Sequence, residues 1–276
     1  MTTFSMPGAL LMANVWWYAF TVLRPAQLLK PLGLYRSMQD IGTMPKAGRK
    51  RGAGPYYCRK SPEPVFLDQR PEDYELVEDF DGLSMVYGRM VEPFSQPIFE
   101  EVSNVVRQLT TPRSRLLDCS CGPGTEMLKL AELVPDGEVV GADLAAQMVG
   151  TAAANARKKG LDNVAFFQAD VAAMPKHFGG RFDLIYCSLA FHHYPEPLAA
   201  LREMRRALRS GGHALIIDAG PAWMKALASP LARWGDPGWV AFRTGDEFQA
   251  LFEQAKFSHF HWTEILPGMG LAIGTK

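Results

Sequence analysis

Leu116-Leu117-Asp118-Cys119-Ser120-Cys121-Gly122-Pro123-Gly124-Thr125 is the stretch that decides the fold. A short apolar strand, Arg115 to Cys119, turns through two glycines into a helical run from Thr125 to Leu133. Without a Cβ, Gly122 and Gly124 let a ligand approach the backbone closely. The helix N-terminus that follows favours a carboxylate or phosphate. Many nucleotide folds share such a turn, and two departures narrow it. A dinucleotide fingerprint continues to a third Gly or Ala, where Met127 stands, and the Gly-Lys-Ser/Thr of a P-loop is missing. What remains suits a small nucleoside carrying an amino-acid tail.

Working outward, strand and helix patterns alternate. Glu138 to Asp143 reads as a second strand, Ala146 to Lys159 as a helix, Val164 to Gln168 as a third strand and Phe182 to Cys187 as a fourth. Pro197 to Leu208 is an amphipathic helix and His213 to Asp218 a fifth strand. Helices of this length between strands mean βαβ units and a parallel sheet. Near-continuous apolar strands fit a sheet buried on both faces. Such sheets bind ligands at the carboxyl ends of their strands. Here those ends carry Asp118, Asp143, Asp170 and Ser188. A lone Asp at such a place is as readily an N-cap or turn former. Three in register at successive strand ends favour a ligand edge, with Asp143 accepting from ribose hydroxyls and Asp170 from an adenine amino group.

The turn, Gly141-Ala142-Asp143, Gln168-Ala169-Asp170, and the run Phe182-Asp183-Leu184-Ile185 … Leu189-Ala190-Phe191-His192-His193-Tyr194-Pro195 … Arg209-Ser210-Gly211-Gly212-His213 resemble class I S-adenosylmethionine methyltransferases. The branch they are most similar to is the ubiquinone/menaquinone C-methyltransferase-like group, and the resemblance covers roughly residues 74 to 276. It implies a Rossmann-like α/β fold, a seven-stranded mostly parallel sheet with helices on both faces. The last pair, Phe257 to Thr263 and Leu271 to Gly274, would include the antiparallel strand. It also implies S-adenosylmethionine as cofactor. Asp118, Cys119, Ser120, Gly122 and Gly124 would hold its methionine end, Asp143 and Leu144 the ribose, and Asp170 with Val171 the adenine. Ser188 would lie beside the sulfonium. Tyr87 matches the Tyr of a Tyr-Asp pair that covers the cofactor, although Gly88 replaces the Asp. Ser120 stands where the family has its first Gly. A small residue permits the turn, but a positive φ there is strained.

Methyl transfer is an in-line displacement that needs alignment and exclusion of water. An oxygen acceptor also needs a base. His192 and His193, after the fourth strand, are the candidates, His192 slightly ahead; a packing role for the pair stays open. Pro221 to Arg243 reads as an insertion over the acceptor pocket, with Trp223, Trp234, Trp239 and Phe242 as its apolar lining. An apolar or aromatic acceptor follows: a quinone, phenol or lipid. Plain packing of these rings is the competing reading. The Ser188-Leu189-Ala190-Phe191 run lacks the Asn/Asp-Pro-Pro-aromatic loop of amino-group methylation on bases. A macromolecular substrate is thus the lesser alternative, beside a cofactor-binding protein without chemistry and an NAD-dependent oxidoreductase, which Met127 opposes.

The chain has 276 residues, 47% of them hydrophobic, and 29 basic side chains balance 29 acidic ones. A nucleic-acid partner is disfavoured by the lack of basic excess. The four cysteines lack metal or redox spacing and read as reduced thiols of a cytoplasmic protein, with no metal. Residues 1–72 read as an N-terminal helical extension and 73–276 as the cofactor-binding domain, with the insertion at about 221–243. Within the extension, Ala9 to Leu23 is apolar except for Asn14 and Thr21. As a helix it would be about 22 Å long, short of a bilayer core. It is expected to lie over the acceptor pocket, and peripheral membrane contact through residues 9–23 stays open. A basic stretch, Lys46 to Lys60, and an acidic one, Glu63 to Asp81, read as a solvated linker.

Overall fold

The computed structural model describes residues 65–66, 92–235 and 238–276. Eight strands form one sheet: β1 (Val65–Phe66), β2 (Arg115–Cys119), β3 (Glu138–Asp143), β4 (Val164–Gln168), β5 (Phe182–Ser188), β6 (Leu208–Ala219), β7 (Ser258–Leu266) and β8 (Met269–Thr275). Their order is β1-β4-β3-β2-β5-β6-β8-β7. The strands from β1 to β6 pair in parallel, and β8 runs antiparallel to both β6 and β7. Seven of these are the expected strands, with the final antiparallel pair in place. The eighth is β1, which adds two residues to the β4 edge. It lies inside the stretch read as an extension, so the sheet begins before the boundary set at residue 73.

Among the described residues six α-helices flank the strands: α1 (Glu92–Leu109), α2 (Thr125–Leu130), α3 (Ala146–Lys159), α4 (Pro197–Ala207), α5 (Ala222–Gly235) and α6 (Gly245–Gln254). Local chemistry sets their ends. Thr244 and Glu247 close a capping box on α6, and Gly160 ends α3 at φ 67°. Alternation along the strands splits the core in two. Leu117, Cys119, Ile185, Cys187 and Ile216 face α4 and α6; Leu116, Leu184, Tyr186, Leu215 and Ile217 face α1, α2 and α3. Both faces are therefore covered, as continuous apolar strands require. β6 is longer than its apolar run because it begins at Leu208 and bulges through Arg209 to Gly212, with Gly211 at φ 73°, where its register shifts against β5. The apolar tract at residues 9–23, the charged linker apart from Val65 and Phe66, Cys58 and Tyr87 lie outside the described residues. Among the described residues no helix is long and apolar enough to cross a membrane.

Candidate active site

The carboxyl ends of β2, β3, β4 and β5 border a cleft with two lobes. The larger, about 300 Å³, is lined by Asp143, Leu144, Asp170 and Val171 on one wall and by His193 and Tyr194 on the other. The smaller, about 50 Å³, is lined by Asp118, Glu126 and the turn after β2, with Ser95 and Phe99 of α1 closing it. Ser120, Gly122, Ser188 and Leu189 line both lobes.

The turn after β2 is tied down by β3. Asp143 accepts the backbone N–H of Gly122 on one oxygen, at 2.8 Å, and that of Ala145 on the other, at 2.9 Å. At Gly122 (φ 52°) a Cβ would meet nothing within 4 Å, so this backbone borders open space. Gly124 serves another purpose. A Cβ there would sit 3.0 Å from the Ala152 Cβ, and Gly124 lines neither lobe. Its glycine lets α2 approach α3, which corrects its assignment to the cofactor. Cys119 is corrected too: strand alternation points it into the α4 and α6 face, fully buried away from both lobes.

Ser120 has φ 68°, the strained conformation foreseen for it. Its hydroxyl is 2.8 Å from the Tyr194 hydroxyl across the cleft, and its N–H donates to the Ala142 carbonyl at 2.7 Å. Leu189, also lining both lobes, has φ 55° and donates to the Ile217 carbonyl at 2.8 Å. Two non-glycine residues at positive φ on one rim mark it as a place where neighbouring structure over-determines the backbone. Asp170 accepts from the Ala172 N–H at 2.8 Å and caps a 3-10 turn, Val171–Ala173, while lining the larger lobe.

Asp118 is 4% exposed and accepts from the Tyr186 hydroxyl at 2.9 Å, the two being register partners across β2 and β5. Burial pushes its carboxyl up to about 8, against the lowering effect of that hydrogen bond; the Asp143 charge raises it further.

The two histidines separate. His192 is 4% exposed, and Asp218 at the end of β6 draws it inward. The Asp218 carboxylate accepts its backbone N–H at 2.8 Å and faces its Nδ1 at 2.8 and 3.0 Å. The His192 carbonyl accepts from Val240 and Ala241. His192 lines neither lobe, whereas His193 lines the larger one. The preference for His192 over His193 as the cleft group is therefore reversed by position. The lid aromatics divide as well. Phe242 is buried, packed on His192 at a centroid distance of 5.3 Å and on Trp239 at 5.6 Å; Trp223 is exposed. None of these three lines either lobe, and the Trp234 side chain lies outside the described residues. Three residues escaped the sequence reading. Asp218 ends a strand and was open to the rule that picked out Asp143. Glu126 is a charged residue buried beside Met127, Leu128 and Leu130 on α2. Tyr194 gave no signal beyond its place after the histidines.

The family profile of a methyltransferase domain matches residues 110–256, just over half of the chain and all of the cleft except Ser95 and Phe99. The chain belongs to this family, within the class I S-adenosylmethionine-dependent methyltransferases. It is similar to the uncharacterized methyltransferase YcgJ of Bacillus subtilis, 31% identical over 52% of this chain and 57% of that protein. It is 36% identical to a demethylmenaquinone methyltransferase of Thermus thermophilus over 39% of this chain and 48% of that one. The crystal structure of YcgJ superposes with a TM-score of 0.53 and 27% identity, covering 60% of this chain and 70% of that chain. The chain spans about half the length of the curated relatives it matches. The family's cofactor fits the cleft: the open backbone at Gly122, the polar residues at the ends of β2, β3 and β5 with Asp170 just beyond β4, and a small lobe beyond the turn match a nucleoside with a charged tail.

Proposed function

We propose that this protein transfers the methyl group of S-adenosylmethionine to a small apolar or aromatic acceptor such as a quinol, phenol or lipid. The observation that carries the reading is the larger lobe, which has Asp143 and Asp170 on one wall and the imidazole of His193 with the phenol of Tyr194 on the other. The cofactor's sulfonium supplies an activated methyl group. Asp143 would accept from the ribose hydroxyls, Asp170 and Val171 would border the adenine, and Ser188 would sit where the two lobes meet. His193 is the group placed to take the acceptor's proton; Asp218 and His192 hold the turn that carries it. The ring of Tyr194 and the side chains of Leu189 and Ala190 offer apolar surface and exclude water. A relative named for demethylmenaquinone supports an acceptor of this class.

The test is incubation with methyl-labelled cofactor and a panel of quinols, phenols and isoprenoid lipids, read by mass. Transfer of one methyl group to an apolar member of the panel is expected. Labelling of RNA or protein with none of the panel would overturn the acceptor class.

A further inference from the structure

One helix of the fold breaks the surface pattern of its neighbours. Among the described side chains of α5, the exposed ones are Ala222, Trp223, Ala226, Leu227, Pro230 and Arg233, all but the last apolar. The exposed positions of α3 are Gln147, Arg157, Lys158 and Lys159, and those of α6 include Asp246, Glu247, Gln249 and Glu253. The opposite side of α5 is apolar too. Met224, Ala228 and Ala232 pack with Ala219 and Phe242, and Leu189 of the cleft rim lies against that cluster. A helix apolar on both sides calls for cover on both. The large hydrophobic side chains exposed among the described residues are Trp223 (41%), Leu227 (52%) and Val240 (41%), all in this one segment. Trp223 and Leu227 stand four positions apart and so share one face of the helix.

We propose that the outer face of α5 docks on the surface of a lipid bilayer, with Trp223 and Leu227 inserted at the level of the headgroups. Charge and area both favour lipid over a second protein. No Asp or Glu occurs from Ala219 to Gly235, so the helix carries nothing that anionic headgroups repel. Lys225 is turned to Glu247 of α6, at 2.6 Å, which leaves Arg233 as the cation on the face. The exposed apolar area is on the order of a few hundred Å², short of the about 800 Å² per partner that a stable protein interface buries. A bilayer makes no such demand: an interfacial helix buries one apolar stripe about 5–10 Å deep, and Trp is enriched at that depth. At about 1.5 Å per residue the 14 residues of α5 make roughly 21 Å, so the helix lies along the surface and does not cross it. Leu189 ties this helix to the rim of the cleft, so an apolar acceptor would pass from the bilayer to the larger lobe over a short path. That consequence alone rests on the acceptor reading above.

The experiment is co-sedimentation of the full chain with sucrose-loaded vesicles of phosphatidylcholine alone and of equal parts phosphatidylcholine and phosphatidylglycerol. Wild type should bind both, about fivefold more tightly to the anionic one, the contribution of one basic side chain near the surface. The double variant Trp223→Ser with Leu227→Gln, checked for folding by its melt, should lose about tenfold or more in partition to both vesicles. Trp223→Phe keeps a ring at an exposed position, so folding is not at stake. It should bind within about threefold of wild type and lose part of the tryptophan quenching by brominated phosphatidylcholine. Absence of wild-type binding, binding confined to the anionic vesicle, unchanged partition in the double variant, or unchanged quenching in Trp223→Phe overturns the proposal. A wild-type oligomer that the double variant converts to monomer, with no vesicle binding, assigns the face to a second copy and overturns it too. The assay holds no cofactor or acceptor, so its failure leaves the proposed reaction untouched.

Discussion

The two walls of the cleft are built in different ways. The wall of β2, β3 and β4 is made where strands end: Asp143 and Asp170 accept from backbone N–H groups beside the sheet edge, and Asp118, one residue before the end of β2, accepts from the Tyr186 hydroxyl of its neighbour β5. The wall of β5 and β6 is made by a 3-10 turn, Phe191–His193, held from far along the chain. Asp218 holds its His192, Val240 and Ala241 donate to the His192 carbonyl, and Arg243 donates to the Phe191 carbonyl at 3.2 Å. The first wall is fixed by the sheet's geometry, and a family can share it. The second depends on residues 26 or more positions away, on β6 and on the segment that leads into α6.

The contrast is broken most directly at Asp143. Asp143→Ala should weaken cofactor binding by about 100-fold or more, since charge-assisted hydrogen bonds contribute about 1.5–3 kcal/mol each and the Gly122 turn loses its anchor. Unchanged affinity in the folded variant would remove Asp143 from the ribose role. Asp118 offers a pH test on the same wall. Its folded carboxyl titrates near 8, above the ordinary value of 3.8. Between these values the folded protein keeps a proton that the unfolded chain has lost. Raising pH through that window therefore lowers stability, by up to about 1.4 kcal/mol per pH unit from this group. Asp118→Asn should flatten the urea-denaturation profile of the free protein from pH 5 to 8; an unaltered slope would contradict the buried acid.

On the other wall, Asp218→Ala should destabilise the protein by about 2–4 kcal/mol, since it strips acceptors from buried N–H groups of His192 and Ala219. It should affect turnover more than cofactor affinity. A melt within a degree of wild type would show that the turn holds without it. His193→Ala should do the opposite: leave the melt unchanged and lower turnover about 100-fold on an oxygen acceptor. Normal turnover would assign the histidine to packing. The smallest effect lies where the walls meet. Ser120→Gly should relieve the positive φ and lose the Tyr194 hydrogen bond, for a net change within about 1 kcal/mol. Ser120→Ala keeps the strain and should cost more. Equal effects would mean that strain contributes nothing measurable.

The same division decides what the sequence discloses. The strand limits of β2, β3 and β4, the capped α6 and the three acids follow from local pattern: apolar runs, a glycine turn, and polar residues at one edge. The strain at Ser120 was legible because the turn's shape demands a positive φ. Cys119 and Gly124 belong to the motif, yet neither lines the cleft. Period-two alternation sends Cys119 to the opposite core, and Gly124 answers to Ala152, 28 residues on. The split between His192 and His193 depends on Asp218, a contact no local pattern records. Phe242 likewise packs on His192 instead of lining the lobe, a choice made by tertiary packing alone.

The central claim is that the cleft is a binding site for S-adenosylmethionine. Titration of the purified full chain with S-adenosylhomocysteine by isothermal calorimetry tests it most directly. The account predicts one saturable site per chain with a dissociation constant in the micromolar range, about −8 kcal/mol, weakened in Asp143→Ala. No saturable heat up to millimolar ligand, in protein shown to be folded by its melt, would contradict it.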